Sequence, residues 1–149
     1  MNAQRFALIL GIAFLIVGTA GYIPNLVTIP PEGADPSIAL DSDLDNYVKG
    51  FGYLFGLFPV NFIHNSAHLL FGFAGIITST SFLGARAYAR IVAVAYLGLA
   101  ILGLLPFTHT FFGLMPLFGN DVWLHVLIAL PAAYFGFAPP EQTQLGTEA

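Results

Sequence analysis

Asn61-Phe62-Ile63-His64-Asn65-Ser66-Ala67-His68 is a polar knot set inside one of the most apolar stretches of the chain. On a helix, Asn61, His64, Asn65 and His68 stand at offsets 0, 3, 4 and 7 and share one face, which Gly72 and Gly75 continue at offsets 11 and 14. Turned towards lipid, such a stripe of hydrogen-bonding side chains would be very costly, so it must face protein, a cofactor or water. Composition says what surrounds it. Of the 149 residues, 57% are hydrophobic and 8% charged, whereas a soluble domain carries about 25% charged residues. A soluble chain of this size would lack the polar groups to cover its surface. The reading is an integral membrane protein. Four basic residues against eight acidic ones exclude nucleic acid as a partner. With no cysteine, no disulfide framework, thiolate metal site or thiol chemistry is available.

Working outward, four apolar runs are expected to cross a membrane, at about 6–23, 59–80, 88–105 and 121–138. The first is stopped by Pro24. Its Gly18-Thr19-Ala20 would also pass as a signal-peptidase site, but the run is read here as a retained helix. Ala7, Gly11 and Gly18 share a face suited to close packing. Pro59 is expected in the first turn of the second helix. Asn120-Asp121 reads as the N-cap of the fourth. Residues 24–58 form an acidic outer loop, within which 43–56 carries Tyr47, Phe51 and Phe55 at helical spacing. That segment is expected to lie helically in the membrane interface as a lid. Residues 139–149 are a polar tail. The whole chain, 1–149, is one membrane domain. Arg5, Arg86 and Arg90 against Lys49 place both termini in the cytoplasm.

The chain also repeats. Gly56-Leu57-Phe58-Pro59 recurs as Gly113-Leu114-Met115-Pro116, and nine residues beyond each proline stands a histidine, His68 and His125. His64 matches Asp121 in that register, and Arg5 to Gly18 matches Arg90 to Gly103 in spacing. Two copies of a two-helix unit, in parallel orientation, would make a four-helix bundle. The stripe of the second helix would then meet Asp121, His125, Ala129, Ala132 and Gly136 of the fourth at the centre.

The chemistry open to these stripes is limited. His64 and His68 have the i, i+4 spacing of a ligand pair. The reading with most behind it is an interhelical polar network of Asn61, His64, Asn65, His68, Asn120, Asp121 and His125. The second is a tetrapyrrole, haem or chlorophyll, with His64, His68 and His125 as candidate axial ligands and the small residues making room for the ring. A bare metal ranks last for want of cysteine and of acidic residues in the spans, and none is assigned. His109 reads as an exposed loop side chain. No phosphate loop, nucleophile elbow or paired-carboxylate signature appears, so no catalytic residue is assigned and the chain is not read as an enzyme.

The run from Gly56 to Gly72, with Gly119-Asn120-Asp121-Val122-Trp123-Leu124-His125, resembles the bacterial four-span membrane family DUF4383. Both of its elements, Asn-x-x-His-Asn-x-x-His-x-x-x-Gly and Asn/Asp-x-x-Trp-x-His, have counterparts here. More distantly the chain is similar to the small four-helix membrane proteins of the DoxX type. The resemblance implies a four-span fold and no particular activity. A structural or accessory subunit of a larger membrane complex is the function expected, with lipid and other membrane subunits as partners. The location expected is a bacterial inner or thylakoid-type membrane.

Overall fold

The computed structural model describes residues 1–30 and 51–139. Among the described residues four α-helices carry the fold: α1 (Ala3–Ala20), α2 (Phe62–Thr78), α3 (Phe82–Leu104) and α4 (Asn120–Phe137). At one end they are joined by a small antiparallel sheet of β1 (Val27–Thr28), β2 (Gly52–Leu54) and β3 (Phe58–Val60), in the order β1-β2-β3. Apart from that sheet the secondary structure of the described residues is helical. α1 packs along α2 and α3 along α4, with α1 and α3 also in contact. The main core lies among them, built from Phe6, Phe14, Tyr88, Val92, Tyr96 and a set of alanines.

Helix ends differ from expectation where a cap decided them. α2 starts at Phe62, because the Asn61 side chain accepts from the His64 N–H at 2.9 Å and caps the helix. Pro59 therefore lies in β3, an edge strand, where a missing N–H costs no ladder bond. α3 begins six residues before the expected 88, since Ser81 Oγ takes the Gly84 N–H at 3.0 Å. Arg86 thus rides on the helix, one turn ahead of Arg90. α4 is preceded by Gly119 at φ 66°, and Asn120 and Asp121 are already helical.

The lid expected over 43–56 is corrected over its described part, residues 51–56, which form a strand and a turn; the remainder lies outside the described residues. β2 pairs with β1 through Val27↔Leu54 and with β3 through Gly52↔Val60. Gly52 is pressed against the Val27 side chain. Phe55 and Gly56, at φ 54° and 71°, then turn the chain back into β3. Glycines at 52 and 56 weaken a helix there, while the aromatic alternation suits a strand. Phe51 is buried and Phe55 is exposed.

Polarity runs opposite to that of a water-soluble fold. Asn61, His64, Asn65, His68, Asp121 and His125 are buried, while Ile16, Phe73, Val94, Leu97, Leu127 and Leu130 face outward. α1 and α3 are long and apolar enough to cross a membrane; α2 is apolar and 17 residues long. At the end away from the sheet, Arg86 Nη2 donates to the carbonyls of Gly136 at 3.1 Å and Ala138 at 2.9 Å. Arg90 Nε donates to Gly136 O at 2.8 Å. The two arginines tie the C-terminal turn of α4 to α3, where a cation also opposes the helix dipole.

Candidate functional site: a buried histidine and aspartate cluster

The N-terminal ends of α2 and α4 present their polar side chains to one another beside the sheet. The Asn61 cap aims the first turn of α2, and its Nδ2 donates to the Leu114 carbonyl at 2.8 Å. From the other side, Asn120 Nδ2 donates to the Leu57 carbonyl at 3.2 Å. Each helix start is thus pinned to the loop that precedes the other. His64 follows one turn into α2, with the carbonyls of Pro59 and Pro116 directed at its ring. Asp121 and His125 stand one turn apart on α4, so they share a face.

These three side chains converge. Asp121 Oδ2 lies 3.4 Å from His125 Nε2 and 3.9 Å from His64 Nε2. Donor atoms of all three fall within 4.8 Å of one another. The residues are 3%, 1% and 1% exposed for His64, Asp121 and His125, so all three are withdrawn from bulk solvent. Among the described residues, Asp121 Oδ2 and the Nδ1 atoms of His64, His68 and His125 have no hydrogen-bond partner. A buried carboxylate left so incompletely satisfied is energetically expensive.

The other residues of the expected network fall around this trio. The His68 ring lies 4.7 Å from that of His64 and stacks on Phe14 at 5.5 Å. Asn65 is buried with its amide packed directly on Gly21. Asn120 is exposed and serves the loop contact. A cavity of about 150 Å³ adjoins the cluster, with His68 and Asp121 as its polar lining and Val17, Leu54, Phe58, Val60 and Leu124 as its apolar walls.

Two features differ from the sequence reading. Gly72 and Gly75 pack against Leu15, Ala7 and Gly11 of α1, not against α4. Ala129 and Ala132 join the main core with the alanines of α3. Small residues close each helical hairpin, and α2 meets α4 through the polar side chains. His109 is half-buried, its ring edge-on to Phe118 at 5.6 Å.

Sequence reasoning also missed Tyr96, whose ring stands edge-on to His125 at 5.1 Å and tilts against Phe14 at 5.3 Å. Its one available signal was a polar-tipped aromatic amid the aliphatic residues of the third run. Pro59 and Pro116 had a stronger signal, since each closes one of the two matching Gly-Leu-x-Pro stretches.

The fold and its buried cluster define a small helical protein with helices fit to cross a membrane and ionisable groups held inside. The chain belongs to the DUF4383 family, described as a domain of unknown function, whose model matches residues 4–138. No curated protein and no solved structure matches the chain.

Proposed function

We propose that the chain is an integral membrane protein whose four helices all cross the bilayer, and that it serves as a structural or accessory subunit of a membrane assembly. The observation carrying this reading is the inverted polarity: among the described residues, apolar side chains cover the outside of all four helices while eight polar or charged residues are buried. Phe73, Trp123, Tyr134 and Phe137 add large exposed rings to that outer face, suited to lipid and to neighbouring subunits alike. Arg5 and Arg86 line one cavity of about 300 Å³ at the end away from the sheet, which supports a basic, cytoplasmic end holding both termini.

Several correspondences support a duplicated two-helix unit. Phe55 and Gly56, at φ 54° and 71°, have counterparts in Phe112 and Gly113, at 58° and 86°, in the register that matches His68 with His125. Gly18 packs on Asn65 and His68, and Gly103 packs on Leu117 and Val122, near the matching place in the second hairpin.

Cysteine accessibility tests the topology cleanly, because the chain has no cysteine of its own. Asn25→Cys and Thr80→Cys should react with an impermeant maleimide from opposite sides of the membrane. Reaction from one side would remove the four-span reading. In mild detergent extracts of native membranes, the chain should migrate with other subunits in a particle well above its own 15.9 kDa. Solitary migration would remove the accessory role. The tetrapyrrole alternative has less behind it. The cavity beside the histidines is about 150 Å³, below the about 300–1,000 Å³ of sites that enclose larger ligands. The glycines expected to make room for a ring are occupied by α1.

A further inference from the structure

We propose that His64, Asp121 and His125 form a binding site for one divalent transition-metal ion, with an open coordination position beside the cavity lined by His68. The spacing of the donors is the first argument. At 3.4 and 3.9 Å, the two Nε2–Oδ2 separations exceed the about 2.7–3.2 Å of a good N–H···O hydrogen bond. Ligands held about 2.1 Å from a tetrahedral ion stand about 3.4 Å apart. The cluster is therefore too open for a tight hydrogen-bond network and nearly right for donors around a shared ion. The widest gap, 4.8 Å, closes by small side-chain movements.

Burial and charge give the second argument. All three residues are at least nine-tenths buried, and Asp121 Oδ2 has no hydrogen-bond partner. The basic side chains among the described residues are Arg5, Arg86 and Arg90, of which Arg5 and Arg86 line the cavity at the opposite end and Arg90 is bonded to Gly136 there. Among the described residues no lysine or arginine reaches the carboxylate, and a divalent ion would supply a compensating charge. With neutral imidazoles and one carboxylate, a hydroxide in the open position would bring the net charge of the site to zero. That matters in an apolar interior.

The donor set selects the ion. Two imidazoles and one carboxylate suit zinc, ferrous iron or cobalt, and the absence of thiolate disfavours cuprous copper. One carboxylate is too few hard oxygens for calcium or magnesium. The scarcity of acidic residues in the helices, which weighed against a metal in the sequence, loses its force once a single carboxylate completes a three-donor set.

The test is a Co(II) titration of the purified, metal-stripped full chain in detergent. One equivalent of Co(II) should bind and give visible d–d bands that Zn(II) abolishes and millimolar Mg(II) or Ca(II) leaves intact. Asp121→Asn and His125→Gln should each weaken binding by more than the about 10–100-fold typical of losing a second-shell partner, while His109→Gln should bind as the parent does. Failure of the parent to bind stoichiometrically overturns the proposal, as does binding indifferent to both substitutions. Should either variant lose its helix content, pulsed electron paramagnetic resonance of the Cu(II)-loaded parent decides instead. Two or more coordinated imidazoles support the site; fewer than two overturn it.

Discussion

Gly75, Gly98 and Gly113 lack the same atom in three different settings. A Cβ at Gly75 would stand 2.8 Å from Tyr88 Oη and 2.9 Å from both the Ala7 carbonyl oxygen and Gly11 Cα. Two of those neighbours are backbone and cannot step aside, so Gly75→Ala must push α1 from α2. A loss of about 1–3 kcal/mol is expected, the usual cost of overpacking. At Gly98 nothing lies within 4 Å. Its replacement by alanine should be neutral, or stabilising by up to about 1 kcal/mol from helix propensity. Gly113 is equally uncrowded but sits at φ 86°, so Gly113→Ala should cost about 1–2 kcal/mol through the backbone alone. Unfolding in mixed micelles, followed by circular dichroism, separates the three. If Gly75→Ala proves as stable as Gly98→Ala, the close approach of α1 to α2 is wrong.

At the level of elements, Asn61 works at both ends of its amide. Its Oδ1 caps α2 by accepting from the His64 N–H at 2.9 Å, and its Nδ2 holds the Leu114 carbonyl at 2.8 Å. Losing an N-cap costs about 0.5–2 kcal/mol, and the cross-link to the second hairpin adds about 0.5–1.5 kcal/mol more. Asn61→Ala should therefore destabilise by more than a cap alone. Asn61→Ser restores the cap oxygen on a shorter side chain and should recover only the first part. Full recovery by serine would show that the contact with Leu114 contributes nothing. Amide exchange adds a local readout: Leu114 and its turn should exchange faster in both variants.

For the whole molecule, the outward apolar face distinguishes lipid from water. Val94 lies near the middle of α3 and is 66% exposed. In a water-soluble protein, a surface substitution there stays within about 0.5 kcal/mol. In a spanning helix, an aspartate at the centre costs about 2.5–3.5 kcal/mol of insertion free energy. Val94→Asp is accordingly expected to fall sharply in membrane-integrated yield, with Val94→Leu unaffected. A Val94→Asp protein that accumulates and folds like its parent would argue against a bilayer around α3.

Much of this was legible in the chain because it depends on local properties. Four apolar runs of helical length, the 3.6-residue spacing of His64, Asn65 and His68, the matching Gly-Leu-x-Pro stretches that end at Pro59 and Pro116, and membership of the DUF4383 family are all sequence quantities. The i, i+4 relation of Asp121 to His125 follows from helix geometry. Tertiary structure decided what each face meets. Gly72 and Gly75 could be read as a close-packing stripe, yet periodicity marks a face as buried without naming its neighbour, and the neighbour is α1. The sheet stayed hidden because its pairing is non-local: Val27 opposite Leu54 joins segments 27 residues apart, and strands of two or three residues have little propensity of their own. The opening between His64, Asp121 and His125 was likewise set by the chain as a whole. Caps, edge strand and loop ties hold the starts of α2 and α4 at a separation that no single stretch of sequence encodes.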